Sequence, residues 1–356
     1  DIIATWTDIL YFYFYFAVTD KLHAAMAFSL YPELQKDIEE YNNKVTLLYG
    51  TSGKPGVYQV YALANRENPN IIALYECGEM EYYGKGLSGQ VSYENAYEYY
   101  EKTKECNSEH PLALWSIAYM KFNYSQEKAK KDPAYRVKQF ENELANGKTN
   151  SWYDSIIYNL QIAYNNGCSA AGNLIGKILD CSDDEFPISR RGIFKNRDSI
   201  EFYKDSADAG YVYGCNGYAI KCMKLAAEEA STDLRYKYMS EAYLYFEKAA
   251  KMGNPWAANK IGTFLIHGLQ INGTYIVKKD RERAYEYFLK AMPMLFTDDY
   301  YWPFINLCKE YWLNKKSERY GEKNENEIRI TINKALSVVE DSAQIAALEE
   351  LMLLIQ

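Results

Sequence analysis

Residues 242–268 read AYLYFEKAAKMGNPWAANKIGTFLIHG, and this stretch predicts two consecutive helices. Ala242 and Ala249 are seven residues apart, a spacing that places both side chains on one face of a helix. Gly-Asn-Pro at 253–255 follows, and glycine favours the end of one helix while proline favours the first turn of the next. The stretch therefore has the form of a structural unit, which raises the question of whether it recurs.

A second pattern in the same stretch is a pair of small residues five positions apart, Ala257 and Gly262. Related pairs recur along the chain, and all but one of the intervals between successive pairs lie between 40 and 46 residues. The related pairs are Ala73/Gly78, Ala113/Ala118 and Ala171/Gly176 and, in looser form, Val212/Gly217 and Pro303/Cys308. Such a period is typical of repeat architectures.

The seven-residue pattern of Ala242 and Ala249 also recurs between these pairs, so each repeat holds two helices. Its other copies are Ala96/Thr103, Ile156/Ala163, Ile200/Ala207 and Ala284/Ala291. Stacked helices approach each other closely only where small residues occupy the crossing points. We therefore predict that the small residues are buried at helix contacts and that the neighbouring aromatic side chains fill the space beside them.

Residues 73–103 and 242–268 resemble the Sel-one-like repeat, a relative of the tetratricopeptide repeat with the pattern A-x-x-x-L-G-x-x-Y-x-x-G-x-G-V. The resemblance covers about residues 67–312. It implies an all-α fold, a right-handed α-solenoid of stacked antiparallel helix pairs. It also implies a role as an adaptor or in signalling or regulation, because the proteins of this family act mostly in that way.

Three regions are expected along the chain. Residues 1–66 are predicted to form an N-terminal helical cap with a half repeat, in which 57–65 is a helix. Residues 67–316 are predicted to hold five to six repeats, with a polar insertion at 125–150. Residues 317–356 end in an amphipathic segment and are predicted to be capping helices that cover the last repeat.

Composition bears on the partner and the compartment. The formal charge of −8 argues against nucleic acid or an anionic membrane as the partner of this chain taken whole. The apolar run at 9–18 is too short to span a bilayer and is interpreted as a buried helix. Seven cysteines without a CxxC motif indicate reduced and mostly buried thiols in a cytoplasmic protein.

Two glycine-rich segments resemble nucleotide-binding motifs. Residues 84–89 satisfy GxGxxG, but they are predicted to follow a helix instead of a strand, which favours an inter-helix turn. Residues 45–56 resemble a phosphate-binding loop, but Leu48 stands where its first glycine belongs. With three histidines in distant parts of the chain and no catalytic signature, we predict no enzyme, no metal site and no cofactor.

In tetratricopeptide-like solenoids the first helix of each pair lines the concave groove, and the resemblance carries this register to ten positions. Their mixture of rings, amides and lysines suits a bound peptide. The alternative is that several of these side chains pack against the next repeat. The ten residues are Tyr75, Glu79, Trp115, Tyr119, Asn173, Lys177, Tyr218, Asn259, Thr263 and Lys309.

Three basic clusters fall in loops that are expected to lie on one edge of the array, where they would form a positive rim. The alternative is solvated loop charge, since acidic residues are interspersed. The rim residues are Lys130, Lys131, Arg190, Arg191, Lys195, Arg197, Lys278, Lys279, Arg281 and Arg283.

The sequence favours a non-enzymatic scaffold or signalling adaptor that binds a protein or peptide partner in the groove. One alternative is the sensory, peptide-responsive domain of a bacterial transcriptional regulator whose helix-turn-helix precedes Asp1. Another is an enzyme whose site lies in the first 66 residues. The Lys-, Asn- and Tyr-rich composition is typical of a bacterial protein.

Overall fold

The protein is described from a computed structural model that places residues 37, 40, 55–125, 137–145, 149–292, 300–313 and 325–355. The chain divides into two compact units, each described by itself. Unit 1 comprises residues 1–171 and 181–196, and unit 2 comprises 172–180 and 197–356. The expectations for 1–36, 41–54, Lys130 and Lys131 lie outside the described residues.

Unit 1 is built from paired helices. Helix α2 packs against α1 and α3, and α4 packs against α3 and α6. Its helices are α1 (Pro55–Ala64), α2 (Ile71–Tyr82), α3 (Tyr93–Cys106), α4 (Pro111–Ser125), α5 (Lys138–Ala145), α6 (Thr149–Asn165) and the start of α7 (Ser169–Asp180), followed by 3-10 turns at Ile188–Arg190 and Gly192–Phe194.

In unit 2 each helix from α8 to α12 packs against the next one along the chain, and α12 packs against α13. Its elements are residues 172–180 of α7, then α8 (Ser199–Asp208), α9 (Val212–Glu228), α10 (Thr232–Lys251), α11 (Pro255–His267), β1 (Leu269–Ile271), β2 (Thr274–Val277), α12 (Arg281–Ala291), α13 (Trp302–Leu307) with a π-helical turn at Cys308–Trp312, α14 (Glu325–Leu336) and α15 (Ser342–Leu354).

The helix boundaries follow from short polar residues and glycine. Asn254 precedes α11, and its side chain accepts a hydrogen bond of 2.8 Å from the backbone N–H of Ala257. Pro255 occupies the first turn of α11. Gly253, which ends α10, has φ +87°, a conformation that costs little only for glycine. The Gly-Asn-Pro signal at 253–255 thus separates the two helices as predicted.

The predicted crossings of small residues are confirmed. Ala257 is fully buried, and a methyl group added to Gly262 would lie 2.5 Å from Cε1 of Phe288 on α12. In unit 1 a methyl group on Gly78 would lie 2.5 Å from the ring of Tyr100. Glycine therefore allows an aromatic ring of the second helix to rest on the backbone of the first.

The seven-residue pattern also marks buried positions, because the fully buried side chains include both members of most pairs. These side chains are Ala96, Thr103, Ile156, Ala163, Ala207, Ala242, Ala249, Ala284 and Ala291. Five of the seven cysteines are buried as well, namely Cys77, Cys168, Cys215, Cys222 and Cys308.

Several local features refine the sequence expectations. The GxGxxG segment at 84–89 lies between α2 and α3, in the predicted inter-helix turn. Helix α5 lies within the segment that was expected to be an insertion. A two-stranded hairpin, β1–β2, interrupts the all-helical expectation. Asn272 and Gly273 have φ +46° and +82°, as a tight hairpin turn of the primed type requires.

No described helix is both long enough and apolar enough to span a bilayer. Towards the end of the chain, α14 and α15 share a hydrophobic cluster with α13, in which Ile328, Ile332, Leu348 and Leu351 are buried.

Candidate functional site

A cleft of about 620 Å³ lies within unit 2, lined mainly by the first helices of three successive pairs. It is formed by α7, α9 and the start of α11, with one side chain from α8. The lining residues are Asn173, Lys177, Asp180, Tyr203, Tyr213, Asn216, Gly217, Ile220, Lys221, Lys224, Asn254, Pro255 and Trp256.

Two carboxamides contribute the polar centre of this cleft. Asn173 is 5% exposed and Asn216 is 8% exposed, and the Oδ1 atom of each is buried without a hydrogen-bond partner among the described residues. A methyl group on Gly217 would lie 2.9 Å from Oδ1 of Asn173, so this oxygen rests against the backbone of α9. A buried polar atom without a partner costs about 1–3 kcal/mol, which marks these two side chains as unusual.

Three lysines supply the charge of the cleft. Lys177 is exposed and has no ion pair in the described part of the chain, and desolvation lowers the pKa of its amine. Lys221 donates to Oδ1 of Asp180 at 2.7 Å, and Ser199 donates to the same oxygen at 2.6 Å. Lys224 is exposed. The single carboxylate among the lining residues is therefore already occupied, and the lining set carries an excess of positive charge.

Aromatic side chains line the cleft near the beginnings of α9 and α11. The side chain of Tyr213 is 57% exposed, and Trp256 is half-buried. The Trp256 ring packs edge-on against Phe246 with 5.5 Å between ring centroids, and Nζ of Lys260 lies 5.3 Å from its centroid. These contacts hold the Trp256 ring in place while part of it remains accessible.

The ten residues of the predicted groove row divide into two groups. Asn173 and Lys177 line the cleft. Tyr218, in contrast, is buried and donates its hydroxyl hydrogen bond to Glu241 of α10. Asn259 is buried and bonded to Tyr300 and Asn306. These two side chains connect neighbouring helices and leave little surface for a partner.

The remaining row residues have contacts of their own. In unit 1, Tyr75 lies 3.4 Å from Ser116 through their hydroxyl oxygens, Glu79 accepts a hydrogen bond of 2.6 Å from Tyr100, and Trp115 stacks on Tyr119 with 5.3 Å between ring centroids. In unit 2, Thr263 donates to the carbonyl oxygen of Asn259 at 3.0 Å, and Lys309 forms an ion pair with Glu350.

The expected basic rim is largely neutralised or buried in the described part of the chain. Arg191 is 7% exposed and donates to the carbonyl oxygens of Cys181 and Phe186, so its guanidinium stabilises a loop. The other rim arginines form ion pairs, and three lysines are exposed. The pairs are Arg190 with Asp154, Arg197 with Glu201 and Asp205, Arg281 with Glu310, and Arg283 with Glu247; the exposed lysines are Lys195, Lys278 and Lys279.

The cleft contains residues that the sequence reasoning did not select: Tyr213, Asn216, Ile220, Lys221, Lys224 and Trp256. A signal for them exists in the sequence. Tyr213, Asn216, Ile220 and Lys224 are spaced by three or four residues, which places them on one face of α9. Selecting that face required knowing which side of α9 meets α7.

Groups that could support catalysis are sparse. The described residues contain no cluster of three His, Cys, Asp or Glu side chains that could hold a metal ion. His110 is buried, its Nδ1 accepts a hydrogen bond of 3.2 Å from the N–H of Ala113, and burial lowers its pKa to about 4. It therefore caps α4 as a neutral imidazole.

Comparison with known proteins identifies the repeat. The Sel1 repeat family matches residues 71–108, 239–254 and 257–291. A crystal structure of a Sel1 repeat protein from Oxalobacter formigenes is similar, with a TM-score of 0.51 and 16% identity over 83% of this chain and 98% of that chain.

A protective antigen present in uropathogenic Escherichia coli strains, displaying an SLR fold, also matches. Its identity is 16% over 83% of this chain and 70% of that chain, with a TM-score of 0.30. No curated protein matches the chain. The matched segments coincide with the helix pairs α2–α3 and α11–α12 and with the end of α10, so this predominantly helical chain contains Sel1 repeats.

Proposed function

We propose that the chain is a non-enzymatic binding module that holds an extended segment of a partner protein in the cleft between α7, α9 and α11. Sel1 repeats typically mediate protein–protein interaction. The observation that carries the proposal is the pair of buried carboxamides, Asn173 and Asn216, whose oxygens have no partner in the described part of the chain although they belong to a cleft.

The chemistry of a peptide backbone matches these carboxamides. An extended segment presents N–H and C=O groups at regular intervals, and a carboxamide that turns toward it can accept from the first and donate to the second. Binding would then supply hydrogen-bond partners that the described part of the chain does not provide, and the cost of the unpaired oxygens would be recovered in the complex. The volume of about 620 Å³ lies within the range of ligand clefts, about 300–1,000 Å³.

A display library of random peptides, selected on the whole chain, tests the proposal. The selected peptides are synthesised with a fluorescent label, and their affinity is measured by anisotropy against the wild type, Asn173→Ala and Asn216→Ala. We expect each substitution to weaken binding about tenfold, because hydrogen bonds to the peptide backbone are lost.

The matched control is Asn165→Ala, which changes an exposed asparagine at the end of α6. It should leave the affinity unchanged. Circular dichroism of every variant establishes that the helices remain folded. Saturable binding that is equal in the wild type and in both cleft variants would contradict the proposal, as would a library that yields no saturable binder.

A further inference from the structure

We infer that the segment held in this cleft carries a large aromatic side chain followed, about four to five residues away, by a cluster of acidic side chains. The inference rests on the function proposed above and specifies the chemistry of the ligand. It follows from the order in which rings, amides and lysines occur along the cleft.

Helix direction fixes this order. Connections of three residues join α9 to α10 and α10 to α11, and each helix packs against the next, so consecutive helices are antiparallel and α9 and α11 run the same way. The cleft residues of α11 come from its first turn and from its N-cap Asn254, and they accompany the first turn of α9, which carries Tyr213. The lysines of α9, Lys221 and Lys224, come two to three turns later. One end of the cleft is therefore aromatic and the other is basic.

The aromatic end suits an apolar ring. Tyr213, Pro255 and Trp256 line it, and no charged side chain occurs among the lining residues of α9 or α11 before Lys221. A partner ring placed here would gain contact area against two rings at little entropic cost, since Trp256 is already held by Phe246.

The basic end suits carboxylates. Lys177, Lys221 and Lys224 line it together with one acid, Asp180, which is engaged by Lys221 and Ser199. The local excess of positive charge stands against a formal charge of −8 for the whole chain, so it is not a consequence of overall composition. A carboxylate near Lys177 would favour the charged amine and so offset the desolvation that lowers its pKa, which favours a carboxylate at this position.

The separation of the two ends sets the spacing in the ligand. Tyr213 precedes Lys221 and Lys224 by 8 and 11 residues, which at 1.5 Å per residue corresponds to roughly 12–16 Å along α9. An extended chain advances about 3.3 Å per residue, so about four to five residues span this distance. Asn216 lies between the two ends of the cleft, where it can form hydrogen bonds with the backbone of the ligand residues that separate the aromatic side chain from the acidic ones.

The test uses three labelled peptides and the whole chain. The first has one Phe, a neutral four-residue spacer and three Glu; the second replaces Glu with Gln; the third replaces Phe with Ala. At low ionic strength we expect the second and third to bind about tenfold more weakly than the first. In the double variant Lys177→Gln, Lys224→Gln the preference for Glu over Gln should disappear, and in Trp256→Ala the preference for Phe over Ala should disappear.

The control double variant Lys237→Gln, Lys278→Gln removes the same charge from exposed positions outside the cleft and should retain both preferences. Equal binding of the three peptides would overturn the inference, as would a preference for Glu that survives in the Lys177, Lys224 double variant. If library-selected peptides depend on Asn173 while the Phe–Glu peptide is not preferred, the ligand chemistry is wrong and the proposed function stands. If they bind independently of Asn173, the proposed function fails as well.

Discussion

Asn173 and Asn259 occupy the same position in two repeats of unit 2, each three residues before a buried glycine, yet their surroundings differ. Both are 5% exposed. The amide of Asn259 donates to the hydroxyl of Tyr300 at 2.9 Å, and its Oδ1 accepts from Asn306 at 3.0 Å. Oδ1 of Asn173 has no such partner in the described part of the chain.

The difference lies in what the following repeat places opposite the asparagine. Opposite α11, the segment around α13 supplies Tyr300 and Asn306, and both side chains form hydrogen bonds with Asn259. Opposite α7, helix α9 supplies Gly217, which has no side chain, and Asn216, whose own Oδ1 has no hydrogen-bond partner among the described residues. The asparagine has the same position in both repeats. The side chains of the next repeat decide whether it is hydrogen-bonded or lines a cleft.

Unit 1 contains a similar contrast on a single helix. On α2, Glu79 accepts a hydrogen bond of 2.6 Å from Tyr100, whereas Glu76 is fully buried with no hydrogen-bond partner among the described residues. Burial, with a smaller contribution from Glu79, raises the pKa of the Glu76 carboxyl to about 8. A buried polar group without a hydrogen-bond partner among the described residues is thus found in both units, and the pair in unit 2 lines a cleft.

The largest effect is expected at Glu76. Its pKa in the folded state lies above the unfolded value, so its contribution to stability is fully present below about pH 4.5 and is lost as pH rises toward 8. Glu76→Gln removes this ionisation. The free energy of unfolding of the variant relative to the wild type should therefore increase by about 2–3 kcal/mol between pH 5 and pH 7.

Urea unfolding at several pH values measures this difference, with the exposed Glu67→Gln as the control. A difference between Glu76→Gln and the wild type that does not change with pH would show that Glu76 has a partner in the folded protein.

A smaller effect separates the two asparagines. Asn259→Ala leaves Tyr300 and Asn306 without their partner and should lower the free energy of unfolding by about 1–3 kcal/mol. Asn173→Ala removes an oxygen that has no partner in the described part of the chain, so the relief of its desolvation cost offsets the lost packing of the side chain, and the free energy of unfolding should change by less than about 0.5 kcal/mol. Chemical unfolding of both variants under one condition measures the two changes in the free energy of unfolding. Equal losses would contradict the distinction between a hydrogen-bonded Asn259 and an Asn173 whose Oδ1 has no partner among the described residues.

The paired helices of the repeats and their crossing points could be predicted from the sequence, because they depend on the local spacing of small residues. Ala257 and Gly262 mark a crossing wherever they occur at that spacing, since only small residues let a ring such as that of Phe288 approach the backbone. The hairpin was missed because the Asn272–Gly273 signal lies in a loop between helices, where no strand was expected.

The cleft could not be predicted in the same way. Whether Asn173 or Asn259 is bonded depends on side chains more than 40 residues further along the chain, which no local pattern contains. The family register also selected Tyr218, which donates a hydrogen bond to Glu241, instead of Asn216, which lies on nearly the opposite face of α9. Val212 stands where the repeat usually has alanine, so the first turn of α9 offered little help in assigning its faces.

The most direct test is the response of the side-chain amides themselves to a selected peptide, followed by nuclear magnetic resonance with the asparagine carboxamides labelled with ¹⁵N. If the cleft of unit 2 is the binding site, the NH₂ resonances of Asn173 and Asn216 shift on titration and saturate with the measured affinity, while those of Asn259 do not move. Saturable binding that leaves Asn173 and Asn216 unchanged, or that shifts Asn259 instead, would contradict the account.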